Sequence, residues 1–298
     1  MNNKILLFII IILSFIALIS SHNKTTFFHN NLSINVLDDD KKEITNLSLE
    51  EYVIGVVAGE MPASFNDEAL KAQAVAARSF AVNKIKNSKA NYDVLKDKRS
   101  QVYITEDEMK DKWKDSFSKY YDKIKKAVFD TEGQVMKYND EVISAFYFAM
   151  SNGMTEDVAL VFGISKDYLK SVDSNWDKKV KNFEVTKSIS IKEFKKLLGI
   201  KEKDIVIGKI EYSNSKRVNN ITINNKKYQG TEIRKILNLR STDFSINIGD
   251  NITITTRGYG HGVGMSQYGA NEMAKNGYKY DEILKYYYQD IVIEKIFV

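Results

Sequence analysis

The chain has 298 residues, 43% apolar and 28% charged, which is typical of a globular protein with a substantial core and excludes a disordered chain. Its 44 basic and 39 acidic residues give a formal net charge of +5, without the dense basic run that would indicate nucleic-acid binding. The absence of cysteine excludes disulfides and thiolate zinc sites.

The first segment is a nearly continuous apolar run from Ile5 to Ile19, preceded by Lys4. Its length of roughly 15 residues is intermediate between that of the apolar core of a signal peptide and that of a short membrane-spanning helix. No cleavage site of the Ala-x-Ala kind follows, so the sequence predicts a membrane anchor at residues 1–21, with a removed signal peptide as the alternative. Residues 22–31 are polar and read as a tether to a domain over residues 32–298. In either case, the domain lies outside the cytoplasm.

The domain begins with SINVLDDDKKEITNLSLEEY, which predicts two short strands around a turn at DDDKK. Ser48 and Glu51 then have the spacing of a capping box, which indicates that a helix starts at about Leu49. We expect this helix to end near Gly59, because glycine favours helix ends and the residue before Pro62 is disfavoured in the α region.

Glu60 lies at this helix end, two residues before Pro62, the one proline of the chain. A carboxyl group held against apolar neighbours has a raised pKa and can donate a proton near neutrality, whereas nearby cations lower that pKa. The sequence leaves open which effect prevails. It also leaves open whether Glu60 is an active-site acid or an ordinary surface or capping residue.

The next helix is predicted to start at Asn66, a good N-cap, and to continue through the alanine-rich stretch ALKAQAVAAR. Lys71 and Arg78 are seven residues apart, which places them on nearly the same side of that helix. Two readings are open: both cations face a cleft beside Glu60, or they belong to a solvated face.

The remaining pattern predicts an α+β protein. Residues 113–129 read as one amphipathic helix, and TEGQVMKYNDEVISAFYFAMSNG reads as a hairpin turning at YND. Residues 183–250 alternate strand-like and helix-like pieces, which predicts a second α+β lobe. The end of the chain reads as strand, glycine-rich loop, helix, turn and helix.

The glycine-rich loop, RGYGHGVGMSQYGA at residues 257–270, raises the question of phosphate binding. Its glycine spacing does not match G-x-G-x-x-G and no Walker lysine is present. The loop carries Tyr259, His261, Ser266 and Gln267, and such aromatic and polar groups suit a sugar-binding wall. A structural role for His261 is the alternative.

Six segments, read together, resemble the stage II sporulation protein D family over about residues 32–298. They are EYVIGVVAGEMP, EALKAQAVAARSF, QVY at 101–103, TEGQV, AFYFAMSNGMTED and GYGHGVGMSQYGA. The resemblance implies a membrane-anchored, two-lobed α+β domain with a glycan-binding cleft. It also implies a lytic transglycosylase of forespore engulfment. Such an enzyme cleaves the bond between N-acetylmuramic acid and N-acetylglucosamine in peptidoglycan, prefers strands stripped of stem peptides and leaves 1,6-anhydro ends.

The resemblance also implies the roles of single residues. Glu60 corresponds to the catalytic glutamate, and Lys71, Arg78 and Ser79 correspond to functional residues of the following helix. We expect further substrate contacts from Tyr147, Tyr259, His261 and Gln267. Many relatives carry histidine and cysteines around QVY and Tyr-His-Ser-Thr before the glycine-rich turn. Here the histidine and cysteines around QVY are absent, so we expect no metal, and we expect no cofactor either. Phe148, Ala149 and Met150 follow Tyr147, so a ligand contact by the histidine of the relatives is not expected, and Tyr147 remains a candidate.

The expected partners are peptidoglycan glycan strands, a cell-wall amidase and a membrane scaffold protein of the engulfment complex. The expected location is the cell membrane, crossed once, with the domain in the space between mother cell and forespore. The alternative function is a non-catalytic glycan-binding scaffold that recruits or activates the amidase. A test of Glu60 separates the two, because an enzyme needs this acid and a scaffold does not.

Overall fold

The structure is a computed structural model, and it describes residues 32–296. The predicted anchor and tether therefore lie outside the described residues. Within residues 32–296, no helix is long and apolar enough to cross a membrane.

The described chain is a mixed α+β protein with several small sheets, as predicted. The helices are α1 (Leu49–Glu60), α2 (Asp67–Asn87), α3 (Glu106–Trp113), α4 (Phe117–Asp130), α5 (Val158–Phe162), α6 (Ile191–Leu198), α7 (Gly230–Ile236), α8 (Gln267–Lys275) and α9 (Tyr280–Tyr287). The strands are β1 (Ser33–Asp38), β2 (Glu43–Ser48), β3 (Val94–Leu95), β4 (Gln134–Tyr138), β5 (Glu141–Val142), β6 (Tyr147–Phe148), β7 (Glu184–Ile189), β8 (Ile207–Tyr212), β9 (Val218–Ile223), β10 (Lys226–Gln229), β11 (Phe244–Ile248), β12 (Ile252–Arg257), β13 (Met265–Ser266) and β14 (Val292–Lys295).

Local sequence rules set the first elements. β1 pairs antiparallel with β2, with Ile34 opposite Leu47, which confirms the predicted hairpin. The capping box that starts α1 is also confirmed, because the Ser48 side chain accepts from the Glu51 N–H while the Glu51 carboxylate accepts from the Ser48 N–H. α1 ends at Glu60, one residue later than expected, and Met61 is already extended ahead of Pro62.

Helix α2 forms the centre of the larger lobe and packs against α1, α4, α8 and α9. It begins, as predicted, at the N-cap Asn66, whose side chain accepts from the Glu68 N–H at 2.9 Å. Every residue from Ala72 to Val82 is buried. Small alanine side chains allow neighbouring elements to approach this helix on all sides, so it presents no solvated face there.

The prediction of one helix over residues 113–129 is wrong. A capping box between Thr105 and Glu108 starts α3 earlier than expected, and α3 ends at Trp113. Lys114 then takes a positive φ of 47°, and a 3₁₀ turn over Lys114–Ser116 leads into α4. The periodic apolar residues of 113–129 hid this break, because the pattern continues across the two helices.

The smaller lobe has a separate hydrophobic core, which includes Phe194, Ile221 and Ile254. Its two three-stranded sheets have the orders β10-β9-β8 and β11-β12-β7. Because β12 pairs with both β7 and β11, this lobe extends to Arg257, beyond the predicted limit at residue 250. The glycine-rich loop leaves β12 and returns the chain to the larger lobe, where β13 pairs with β6.

Candidate active site

The carboxyl group of Glu60 is fixed at the C-terminal end of α1. The Met61 N–H still bonds to the Val57 carbonyl, and Pro62 prevents the helix from continuing. One carboxylate oxygen, Oε1, accepts a hydrogen bond of 2.7 Å from the Val102 N–H. The helix end and the segment after β3 therefore hold the carboxyl group between them, and the side chain is half-buried.

Burial raises the pKa of Glu60 above its ordinary value. Three interactions oppose this rise: the Val102 N–H, the side chain of Gln267 and the positive charge of Lys112. The question that the sequence left open is thus resolved in favour of burial. A carboxyl group with a raised pKa keeps a larger protonated fraction near neutrality, which suits a general acid.

A chain of hydrogen bonds borders Glu60 on one side. The Tyr52 hydroxyl donates to Gln101 Oε1 at 3.0 Å, and Gln101 Nε2 donates to the Tyr147 hydroxyl oxygen at 2.8 Å. Burial, and then the charge of Glu60, raises the pKa of both phenols, so both lie within electrostatic reach of the carboxylate. Of these two phenols, Tyr147 is a predicted site residue. The structure adds Gln101, which belongs to the recognised QVY motif and whose contact with Tyr147 the sequence did not predict.

Gln267, another predicted residue, lies in the first turn of α8, and its side chain lowers the pKa of Glu60. Its Nε2 donates to Gln73 Oε1 of α2 at 3.3 Å. Ser266 caps α8 and donates to the buried carboxylate of Asp177 at 2.6 Å, while Ser174 donates to the other oxygen of Asp177 at 2.7 Å. This buried network fixes the helix start that carries Gln267.

Lys112 is the cation that acts on Glu60, and the sequence did not single it out. Its Nζ donates to the Ala58 carbonyl at 2.8 Å, two residues before Glu60 in α1. Burial lowers the pKa of Lys112, and the charge of Glu60 opposes this change. The residue comes from α3, far from Glu60 in sequence, so no local pattern connects the two.

Lys71 occupies a different environment. Its Nζ lies 3.4 Å from a carboxylate oxygen of Glu68 and 3.1 Å from one of Asp130, where α2 meets the end of α4. Lys71 is not among the groups that shift the pKa of Glu60. The geometry thus assigns Lys71 to an ion-pair cluster with Glu68 and Asp130.

The predicted substrate contacts of Arg78 and Ser79 disagree with the structure, because both side chains are fully buried. The Arg78 guanidinium pairs with Glu50 and donates to the carbonyls of Val128 and Gln134. Glu50 and Glu60 are ten residues apart in one helix, which corresponds to about 15 Å. Arg78 therefore stabilises the far end of α1.

Ser79 is equally internal. Its hydroxyl donates to the Val75 carbonyl at 2.7 Å and accepts from the Met136 N–H at 2.8 Å. The first bond stays within α2, and the second ties α2 to β4. The sequence could not show this burial, because α2 is alanine-rich and enclosed on all sides. It therefore lacks the alternation of polar and apolar faces that would distinguish inward from outward residues.

Two predicted residues of the glycine-rich loop, Tyr259 and His261, occupy different environments. Tyr259 is 49% exposed, and the Arg240 guanidinium lies 4.9 Å from its ring centroid. Its contact with substrate stays a prediction. His261 packs among the rings of Phe146, Phe148 and Phe162, and its Nδ1 accepts from the Val263 N–H at 3.1 Å.

Burial, together with the positive charges of Arg234 and Arg217, lowers the pKa of His261 to about 4. The imidazole is therefore neutral near pH 7 and cannot serve there as a cation. This environment favours the structural reading that the sequence left open.

The glycines of this loop allow contact with the protein's own backbone. Gly264 has a φ of +76°, and a Cβ at this position would lie 2.0 Å from the Phe146 carbonyl oxygen. Residues 32–296 contain no group of three or more histidine, aspartate or glutamate side chains that could hold a metal ion.

Comparison with known proteins identifies close relatives. The family described as "Stage II sporulation protein" matches residues 38–138. Stage II sporulation protein D of Bacillus subtilis is 44% identical over 272 residues, which cover 89% of this chain and 79% of that protein. The protein of the same name from Bacillus amyloliquefaciens is 41% identical with the same coverage. A protein named "Amidase enhancer" from Bacillus subtilis is 28% identical over 294 residues, which cover 78% of this chain and 39% of that protein.

Proposed function

The chain belongs to the stage II sporulation protein D family, and from this premise we propose that it is a lytic transglycosylase of peptidoglycan. The proposed reaction cleaves the bond between N-acetylmuramic acid and N-acetylglucosamine. It acts on strands stripped of stem peptides and takes place during forespore engulfment. One observation carries the proposal: Glu60 is a fixed carboxyl group whose pKa is raised by burial.

The surroundings of Glu60 suit a mechanism with one carboxyl group. Of the groups that shift the pKa of Glu60, the only charged one in the described chain is Lys112, and no second carboxylate is among them. Glycosidases that use water ordinarily need two carboxyl groups at a defined separation. A lytic enzyme needs one, because the nucleophile is a hydroxyl of the substrate itself.

In the proposed steps, Glu60 acts first as the acid and then as the base. The protonated Glu60 donates its proton to the glycosidic oxygen, and the bond from that oxygen to the muramyl C1 breaks. The resulting carboxylate then accepts the proton of the muramyl C6 hydroxyl, whose oxygen bonds to C1 and closes the 1,6-anhydro ring. Because this hydroxyl is tethered to the reacting sugar, its effective concentration is high.

We assign further roles to the residues around Glu60. Tyr147 contacts the sugars beside the cleaved bond, Gln101 orients the Tyr147 hydroxyl, and the buried Gln267 acts on the Glu60 carboxyl group. Lys112 stabilises the carboxylate that forms after proton donation. Lys71 and Arg78 support the helices that frame the site.

The apolar run at residues 5–19 supports anchoring in the membrane. We place the folded domain between the mother cell and the forespore, where it would meet the glycan strands, a cell-wall amidase and a membrane scaffold protein. The similarity to a protein named "Amidase enhancer" favours a second candidate function, a glycan-binding scaffold that recruits or activates an amidase without turnover.

Mass spectrometry separates the two functions. The full chain in mild detergent is incubated with peptide-free glycan strands, beside Glu60→Gln. Anhydro-muramyl ends produced by the wild type alone would support lytic cleavage by Glu60. Reducing ends would indicate a hydrolase with a second carboxyl group, whereas binding without fragments from either protein would favour the scaffold.

A further inference from the structure

Four aromatic side chains of α3 and α4 form a continuous strip that the predicted site does not include. We call Trp113, Phe117, Tyr120 and Tyr121 the aromatic strip. The ring centroid of Trp113 lies 5.7 Å from that of Tyr120 and 6.5 Å from that of Phe117. The ring centroid of Phe117 lies 5.3 Å from that of Tyr121. All four residues are half-buried: they pack against the hydrophobic core of the larger lobe and leave part of their surface exposed.

Lysines border the strip. Lys112, Lys119 and Lys125 place their ammonium groups 5.9 to 6.0 Å from the rings of Trp113, Tyr120 and Tyr121 respectively. None of these three lysines forms an ion pair with a carboxylate within residues 32–296. The strip therefore combines aromatic faces with nearby ammonium groups, of which that of Lys112 also acts on Glu60.

The strip continues from Glu60. Lys112 bonds to the Ala58 carbonyl near the end of α1, and the next residue, Trp113, begins the strip. At the other end, burial and the charges of Glu106 and Glu51 raise the pKa of Tyr121. Helix α4, which carries three of the four rings, packs against α1, so the strip lies beside the helix that ends at Glu60.

A glycan strand matches both features of the strip. The C–H faces of sugar rings pack on aromatic rings, which present large and rigid apolar surfaces. A muramic acid residue without its stem peptide exposes a lactyl carboxylate, and these carboxylates recur along the strand, as the lysines do along the strip. We infer that the aromatic strip binds the peptide-free glycan strand on one side of Glu60. This inference rests on the proposed function and names a binding surface for its substrate.

The two tryptophans of the chain allow a direct test, because Trp113 lies in the strip and Trp176 does not. In a Glu60→Gln background, Trp176→Phe leaves Trp113 as the single reporter of fluorescence, and Trp113→Phe leaves Trp176. Peptide-free glycan oligomers should change the emission of Trp113 saturably and leave that of Trp176 unchanged. The full chain is used in both cases.

Three results would overturn the inference: glycan retention without a change in Trp113 emission, no glycan retention at all, or a change caused by anionic lipid vesicles and not by glycan. Turnover by the wild-type chain is measured separately. Cleavage without a Trp113 response would refute the strip alone, and a Trp113 response without cleavage would refute the enzyme alone.

Substrate length provides a second readout. In the otherwise wild-type chain, Trp113→Ala should raise KM for long strands by about three- to tenfold and leave kcat nearly unchanged. Tyr278→Ala is the matched control, because Tyr278 also belongs to a partly exposed aromatic pair but lies outside the strip. A loss of kcat with unchanged KM, or an equal effect of the control, would contradict binding by the strip.

Discussion

Arg78 and Glu50 form a buried ion pair in which Nε and Nη2 of Arg78 donate to the carboxylate at 2.8 and 2.6 Å. The guanidinium is fully buried and also donates to two backbone carbonyls. The pair joins the start of α1 to α2, α4 and β4. It thereby holds in place the helix whose other end carries Glu60.

We therefore expect Arg78→Met to act on stability. Removing one partner leaves the Glu50 carboxylate uncompensated, which lowers the free energy of unfolding by about 3–5 kcal/mol. Urea denaturation measures this change, and Glu50→Gln combined with Arg78→Met should recover part of it. A stable Arg78→Met variant that loses turnover would instead support the substrate contact predicted from the sequence.

Local sequence rules predicted the elements that depend on neighbouring residues. The capping box of Ser48 and Glu51, the cap at Asn66 and the break at Pro62 each follow from chemistry within a few positions. These rules placed Glu60 at a helix end, and the family resemblance implied its catalytic role. Lys112 acts on Glu60, and Gln101 contacts Tyr147, only through the packing of distant segments, so these interactions could not be read from local spacing.

The charge of Lys112 should shift the alkaline limb of the pH–rate profile, because it lowers the pKa of Glu60. General acid catalysis requires protonated Glu60, so kcat falls as pH rises through the raised pKa of this residue. Lys112 favours the carboxylate and lowers that pKa. We expect Lys112→Met to move the alkaline limb to higher pH and Lys112→Arg to restore it.

Lys110→Met is the control for this measurement, because Lys110 lies in the same helix but pairs with Glu106 and Asp107. The profile is obtained from release of glycan fragments at saturating substrate. An alkaline limb that moves equally in both variants, or toward lower pH in Lys112→Met, would contradict the assignment.

Asp177 should make the stability of the protein depend on pH. Burial raises the pKa of this carboxyl group from 3.8 to about 6, although Ser266 and Ser174 donate to it. The folded state thus binds the proton more tightly than the unfolded state does. The stability that Asp177 contributes is fully present below about pH 4 and is lost as pH rises to about 6. The rise in its pKa corresponds to a contribution of about 3 kcal/mol to the free energy of unfolding.

Chemical denaturation at pH 4, 5, 6 and 7 tests this expectation. The contribution of Asp177 should disappear from the pH dependence of Asp177→Asn and persist in Asp250→Asn, which changes an exposed residue. If the wild type and Asp177→Asn show the same slope between pH 4 and 6, Asp177 does not titrate in that range.

Gly264 should not tolerate alanine, because a Cβ there would collide with the backbone. Gly277 is the control, because it has a positive φ without this collision. Gly264 and Gly277 have positive φ values of 76° and 96°, so alanine strains the backbone at either position by about 1–2 kcal/mol. A Cβ at Gly277 meets nothing within 4 Å, whereas at Gly264 it lies 2.0 Å from the backbone oxygen of Phe146. We expect Gly277→Ala to fold with a modest loss of stability and Gly264→Ala to separate β13 from β6. Thermal unfolding compares the two, and equal losses would show that the close approach of the loop to residue 146 contributes nothing to stability.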